Sequence, residues 1–109
     1  MKKVRIGIFA SGGGTNAENQ ALFFEQNTRI SVASIYTNNT KAGVVDRMNK
    51  LQVPCMSFSK KDLVNGQMIN QLKADKIDFI VLAGFLLLIP KELIQHFPAK
   101  IINIHPSLL

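Results

Sequence analysis

Val4-Arg5-Ile6-Gly7-Ile8-Phe9-Ala10 runs without a break into Ser11-Gly12-Gly13-Gly14-Thr15-Asn16, and the reading of this stretch decides the fold. The first seven residues are mostly apolar with little alternation, the pattern of a strand covered on both faces. The glycines form a turn. Thr15 to about Gln26 then reads as a helix, with Ala17, Ala21 and Phe24 on one stripe.

The same alternation continues outward. Arg29 to Tyr36 is a second strand, Asn38-Asn39-Thr40 a turn, and Lys41 to Leu51 a second helix with Val44, Val45, Met48 and Leu51 inward. Cys55 to Phe58 is a short third strand. Ser59-Lys60-Lys61-Asp62 opens a helix capped by Ser59, and that helix carries Leu63, Met68, Ile69 and Leu72. Ile77 to Ala83 is a fourth strand, Pro90 to Phe97 a short helix with proline in its first turn, and Lys100 to Ile104 a fifth strand. Strands alternating with helices predict an α/β fold, a mostly parallel open sheet with helices on both faces. The first and fourth strands are the most apolar and belong at the centre. Ligands bind such sheets at the carboxyl ends of the strands. Ser11 to Asn16, Ala83-Gly84-Phe85 and Asn103 to Ser107 all fall at those ends.

Bulk composition narrows the function classes. A chain of 109 residues is one domain at most, and 47% apolar residues suffice for a core. The net charge of +6 admits an anionic partner, but only Lys2-Lys3 and Lys60-Lys61 adjoin. That scatter argues against nucleic acid and membrane surfaces, keeps a phosphorylated small molecule open, and makes most of these charges a solvated basic surface. The single cysteine, Cys55, excludes an intrachain disulfide and reads as a core thiol. No run is long enough to span a membrane, and a cytoplasmic protein is expected.

Ser11 to Asn16 is neither G-x-G-x-x-G nor a P-loop, so a dinucleotide or triphosphate is not indicated. Glycines that permit close backbone approach, ahead of a helix amino terminus, suit a phosphate monoester. Thr15-Asn16-Ala17-Glu18 also matches a capping box, which needs no ligand. Three consecutive glycines cost roughly 0.5–1 kcal/mol each relative to alanine, which puts the phosphate reading ahead.

Asn103 and His105 stand two apart and point to one side of an extended chain. An amide that donates to a developing oxyanion and an imidazole that moves a proton suit acyl transfer. His96, on the short helix, reads as a partly exposed, non-catalytic residue.

Together, Ser-Gly-Gly-Gly-Thr-Asn at 11–16, Val-Leu-Ala-Gly-Phe at 81–85 and Asn-Ile-His-Pro-Ser-Leu-Leu at 103–109 resemble the phosphoribosylglycinamide formyltransferases, in order and spacing, over the whole chain. The resemblance implies a Rossmann-like formyltransferase fold and transfer of a formyl group from 10-formyltetrahydrofolate, the co-substrate, to the amine of glycinamide ribonucleotide in purine synthesis, without a metal. It implies that Gly13, Gly14, Thr15 and Asn16 hold the ribonucleotide phosphate. Asn103 would stabilise the oxyanion and contact the formyl donor, and His105 would donate the proton. Leu86, Leu87, Leu88 and Ile89 would line the folate pocket with Lys61, although four aliphatic residues after a strand also read simply as core. Leu87 stands where relatives frequently carry arginine, and so does Lys61, which is not a bidentate fork.

The carboxylates Glu18, Glu25, Asp46, Asp62, Asp75, Asp78 and Glu92 offer no good partner for His105. In the family that partner is an aspartate beyond position 109. Residues 1–109 are therefore expected to be the amino-terminal portion of one domain, cut after the fifth strand. Alone they are expected to be a poor catalyst, prone to form a homodimer or aggregate through the uncovered flank of that strand. Another folate-dependent formyltransferase or hydrolase, or a non-catalytic phosphate-binding α/β module, remains the alternative.

Overall fold

The computed structural model describes residues 3–11, 28–38, 46, 49–85 and 87–104. Five strands, β1 (Val4–Ala10), β2 (Ile30–Thr37), β3 (Cys55–Ser57), β4 (Phe79–Ala83) and β5 (Ile101–Ile104), form one sheet in the order β3-β2-β1-β4-β5. Every pairing is parallel. β1 is central with β4 beside it, as their apolar composition predicts. Strand order reverses after β3, which places the switch point between β1 and β4.

Three helices are described, α1 (Lys60–Val64), α2 (Gln67–Ala74) and α3 (Lys91–His96). The helix expected over 15–26, and most of that over 41–51, lie outside the described residues. Asp46, Asn49 and Lys50 are helical. The single helix expected after Ser59 is two. Ser59 caps α1 with a reciprocal box, its hydroxyl accepting from the Asp62 amide and the Asp62 carboxylate from its own, both at 3.1 Å. Asn65 and Gly66 then break the chain, Gly66 with φ 89°. The last helix begins one residue later than expected, with Pro90 as an extended cap at ψ 149° rather than inside the first turn.

The two faces of the sheet bury separate sets of side chains. Phe9, Tyr36, Ile80 and Leu82 pack with Phe58, Leu63, Met68, Ile69, Leu72, Leu93 and Phe97, so all three described helices cover this face. Ile6, Ile8, Ala10, Ile35, Val81 and Ala83 form the other, with Leu51 and Val53 against them. Phe9 and Tyr36 are fully buried, each worth about 1.5–3 kcal/mol of apolar transfer. Cys55 is half-buried, and burial pushes its thiol pKa up, which suits packing better than nucleophilic chemistry.

The edge opposite the strand carboxyl ends is closed by polar contacts. The Arg5 amide donates to the Asp78 carboxylate at 2.9 Å, and the Arg5 Nε to the Asp75 carbonyl at 3.0 Å. Tyr36 reaches the same place, donating its hydroxyl to Asp75 at 2.5 Å. Burial, then the bond to the Asp75 carboxylate, raises the Tyr36 pKa far above its ordinary value.

Candidate functional site

Parallel register aligns one row of residues across the sheet. Met56 pairs Tyr36, Tyr36 pairs Phe9, Phe9 pairs Leu82 and Leu82 pairs Asn103. Paired residues of a parallel sheet share a face, so an exposed amide ends a row that is otherwise apolar or aromatic. Asn103 thus lies on the face that α1 to α3 cover, next to the carboxyl end of β4.

The chain leaving β4 is turned by Gly84. Its φ of 70° is one that a side chain disfavours, although a Cβ there would meet nothing within 4 Å. The turn sets Phe85 edge-on to Phe9, with ring centroids 5.3 Å apart, and 5.9 Å from Phe58. This aromatic anchor fixes the start of the segment that follows. Leu87, Leu88 and Ile89, with Pro90, line a cavity of about 530 Å³ completed by Lys60, Leu63 and Val64 of α1. Lys60, Leu63 and Val64 stand at i, i+3 and i+4, one face of a helix. Leu88 is 92% exposed and Val64 63%, a large apolar surface left open to solvent at the cavity's lip.

Lys61 does not join that cavity. It is exposed and lines a separate one of about 360 Å³ with Met56, Phe58, Asp62, Asn65, Gln67, Met68 and Gln71. One residue along a helix is a rotation of about 100°, which places adjacent lysines on different faces. Of the two adjacent lysines, Lys60 is the one beside Leu87 to Ile89.

At the ends of β1 and β2, the Ser11 hydroxyl donates to Asn38 Oδ1 at 2.6 Å. Ser11 leads directly into the glycine-rich segment. Gly13, Gly14, Thr15, Asn16, Leu86 and His105 lie outside the described residues. His96 is exposed, its Nδ1 2.9 Å from the Glu92 carbonyl. Asp75 and Asp78 are engaged at the opposite edge of the sheet. Among the described residues no three His, Cys, Asp or Glu side chains gather to hold a metal, and no helix is long and apolar enough to cross a membrane.

Residues 4–109 match the family model described as formyl transferase. The chain belongs to the formyl transferase family. Phosphoribosylglycinamide formyltransferase of Bacillus subtilis is 36% identical over 115 residues, which cover all of this chain and 58% of that relative. The chloroplastic phosphoribosylglycinamide formyltransferase of Arabidopsis thaliana is 31% identical, with 99% of this chain and 39% of the relative covered. Among solved structures, phosphoribosylglycinamide formyltransferase from Anaplasma phagocytophilum superposes with a TM-score of 0.87 at 30% identity, over 99% of this chain and 52% of that one. Glycinamide ribonucleotide transformylase 1 from Geobacillus kaustophilus superposes with a TM-score of 0.85 at 34% identity, over 99% and 61%. The chain spans about half the length of these relatives. The parallel sheet with β1 and β4 central is the fold of this family.

The sequence did not bring Lys60, Leu63 and Val64 to the cavity of Leu87 to Ile89, nor Asn38 to Ser11. The i, i+3, i+4 spacing of the first three was a usable signal. The tie between Ser11 and Asn38, 27 residues apart, had no local trace.

Proposed function

We propose that the full-length protein transfers the formyl group of 10-formyltetrahydrofolate to the primary amine of glycinamide ribonucleotide, and that residues 1–109 supply the amino-terminal portion of the one domain that does so. The observation that carries this reading is Asn103, a solvent-facing amide ending an apolar row at the carboxyl edge of the sheet. The names of the relatives point to the same reaction.

In the proposed reaction the amine lone pair attacks the formyl carbon and the carbonyl oxygen takes the negative charge. The Asn103 amide N–H donates to that oxyanion, a role typically worth about 2.7–4 kcal/mol. Collapse breaks the bond from the formyl carbon to the folate nitrogen. The attacking amine loses a proton, the folate nitrogen gains one, and His105 moves it. Gly13, Gly14, Thr15 and Asn16 hold the ribonucleotide phosphate.

The folate lies along Leu86, Leu87, Leu88 and Ile89. The cavity of about 530 Å³ has the size and apolar lining of a small-ligand site. Folate carries a pterin ring with polar edges at one end and carboxylates at the other, and Lys60 on the cavity wall is the cation that meets the carboxylates. Lys61, facing the neighbouring cavity, contributes long-range charge only. A lone unpaired thiol fits a reducing compartment such as the cytoplasm. Ile102, 49% exposed on the outer strand β5, supports association of the isolated 109 residues as a homodimer.

The test is formation of formylated ribonucleotide by the purified full-length protein with both substrates. Product that requires both supports the reading. Release of formate without ribonucleotide would favour a hydrolase, and ribonucleotide binding without turnover a non-catalytic module.

A further inference from the structure

The two walls of the cavity of about 530 Å³ belong to chain segments distant in sequence. Lys60, Leu63 and Val64 of α1 form one wall, and Leu87, Leu88 and Ile89 the other. A pair of rings joins the two segments. Phe58 precedes Ser59, the cap of α1, and Phe85 follows Gly84 at the end of β4. Their ring centroids are 5.9 Å apart, with the planes at 41°. Both rings also rest on Phe9 of the central strand, Phe58 at 5.7 Å and Phe85 at 5.3 Å, and Phe9 is fully buried. Three rings in mutual contact, one of them in the middle of the sheet, make a fixed bearing for the other two.

The backbone is pinned beside each outer ring. The Phe58 amide donates to the Thr37 carbonyl at 2.9 Å, and the reciprocal box of Ser59 and Asp62 starts α1 at the next residue. On the other side Gly84 turns the chain at φ 70°, and Leu87 and Ile89 pack against the same core as Phe85. Little slack separates each ring from its wall. We infer that Phe58 and Phe85 are a pair of positioning residues that sets the separation of the two cavity walls, and so the fit of the formyl donor between them. Neither ring lines this cavity; they act through α1 and through Leu87 to Ile89. The inference rests on the proposed folate site and adds to it the contact that fixes its width.

The test is calorimetric titration of the full-length protein and its variants with 10-formyltetrahydrofolate and, separately, with glycinamide ribonucleotide. Phe58→Leu and Phe85→Leu should each raise Kd for 10-formyltetrahydrofolate roughly threefold or more, the worth of an aromatic pair. The double variant should bind no worse than the weaker single, because both changes remove one contact. Phe85→Tyr keeps the ring and should bind within about twofold of the parent, as should glycinamide ribonucleotide to every variant. A role confined to stability would lower Tm and leave the Kd of the folded protein unchanged. Phe85 is half-buried, so Phe85→Leu carries the test should Phe58→Leu not fold. A smaller rise in Phe85→Leu, multiplying effects in the double variant, or equal weakening of both ligands would overturn the inference. So would weakening by Phe58→Leu alone, which would place the donor in the cavity that Phe58 lines with Lys61. Binding is read without turnover, so absence of formyl transfer in the unmutated protein is a separate outcome and would overturn the proposed function instead.

Discussion

The Tyr36 hydroxyl donates to Asp75 across 39 residues of sequence, at 2.5 Å, from a ring with no solvent exposure. Asp75 also accepts from the Gln71 amide at 3.1 and 3.2 Å, so one carboxylate ties the central sheet to the end of α2. Tyr36→Phe removes the donor and leaves that carboxylate under-satisfied. The expected loss is about 1–3 kcal/mol in urea unfolding, with the slope unchanged.

The same contact sets an alkaline limit. The folded-state pKa of Tyr36 is raised, so its contribution to stability is complete below the unfolded value of about 10. It is lost progressively as pH rises above that value towards the folded one. Unfolding free energies of parent and Tyr36→Phe should differ by a constant amount from pH 7 to 9 and converge above pH 10. A difference that stays constant to pH 11 would contradict the assignment.

Gly7 lies beneath the same ring. A Cβ at this position would stand 2.9 Å from Tyr36 Cε2 and 3.2 Å from Ile77 Cγ2. Gly7→Ala therefore overpacks a filled interior and should cost about 1–3 kcal/mol, measurable as a lower Tm. A variant as stable as the parent would mean that ring and strand separate freely.

Lys60 and Lys61 are adjacent, yet only Lys60 shares a cavity with Leu87, Leu88 and Ile89. Lys60→Gln should raise KM for 10-formyltetrahydrofolate roughly two- to fivefold, the worth of an exposed ion pair. The effect should shrink as salt is added. Lys61→Gln should change KM less than twofold. The reverse ranking would assign the folate carboxylate to Lys61.

Gly14→Val places a branched side chain where the ribonucleotide phosphate is proposed to meet the backbone. Calorimetric titration of the full-length protein with glycinamide ribonucleotide should show no binding, while the circular dichroism spectrum is retained. Undiminished affinity would remove the glycine-rich segment from the site.

Much of this was legible in the residues because it follows from local pattern. Apolar runs at Val4 to Ala10 and Ile77 to Ala83 marked the central strands, the second of which starts at Phe79 in the structure, since strands covered on both faces omit alternation. The Ser59 and Asp62 box was readable because both partners lie within one turn. The break at Asn65-Gly66 was present in the sequence but outweighed by the apolar stripe of Leu63, Met68, Ile69 and Leu72, which two helices share as readily as one. Which lysine faces the cavity depends on the rotation of α1 about its axis, set by packing of Leu63 and not by composition. Tyr36 with Asp75, and Ser11 with Asn38, join distant positions and left no periodic signal.

The most direct measurement is the steady-state rate of formyl transfer by Asn103→Ala in the full-length protein, beside His105→Ala. Each variant should lower kcat by roughly 10²-fold or more, the size expected for an oxyanion donor or a general acid, with KM for glycinamide ribonucleotide little changed. Near-normal turnover in Asn103→Ala would contradict the account, because the amide that ends the row from Met56 through Phe9 would then take no part in the chemistry.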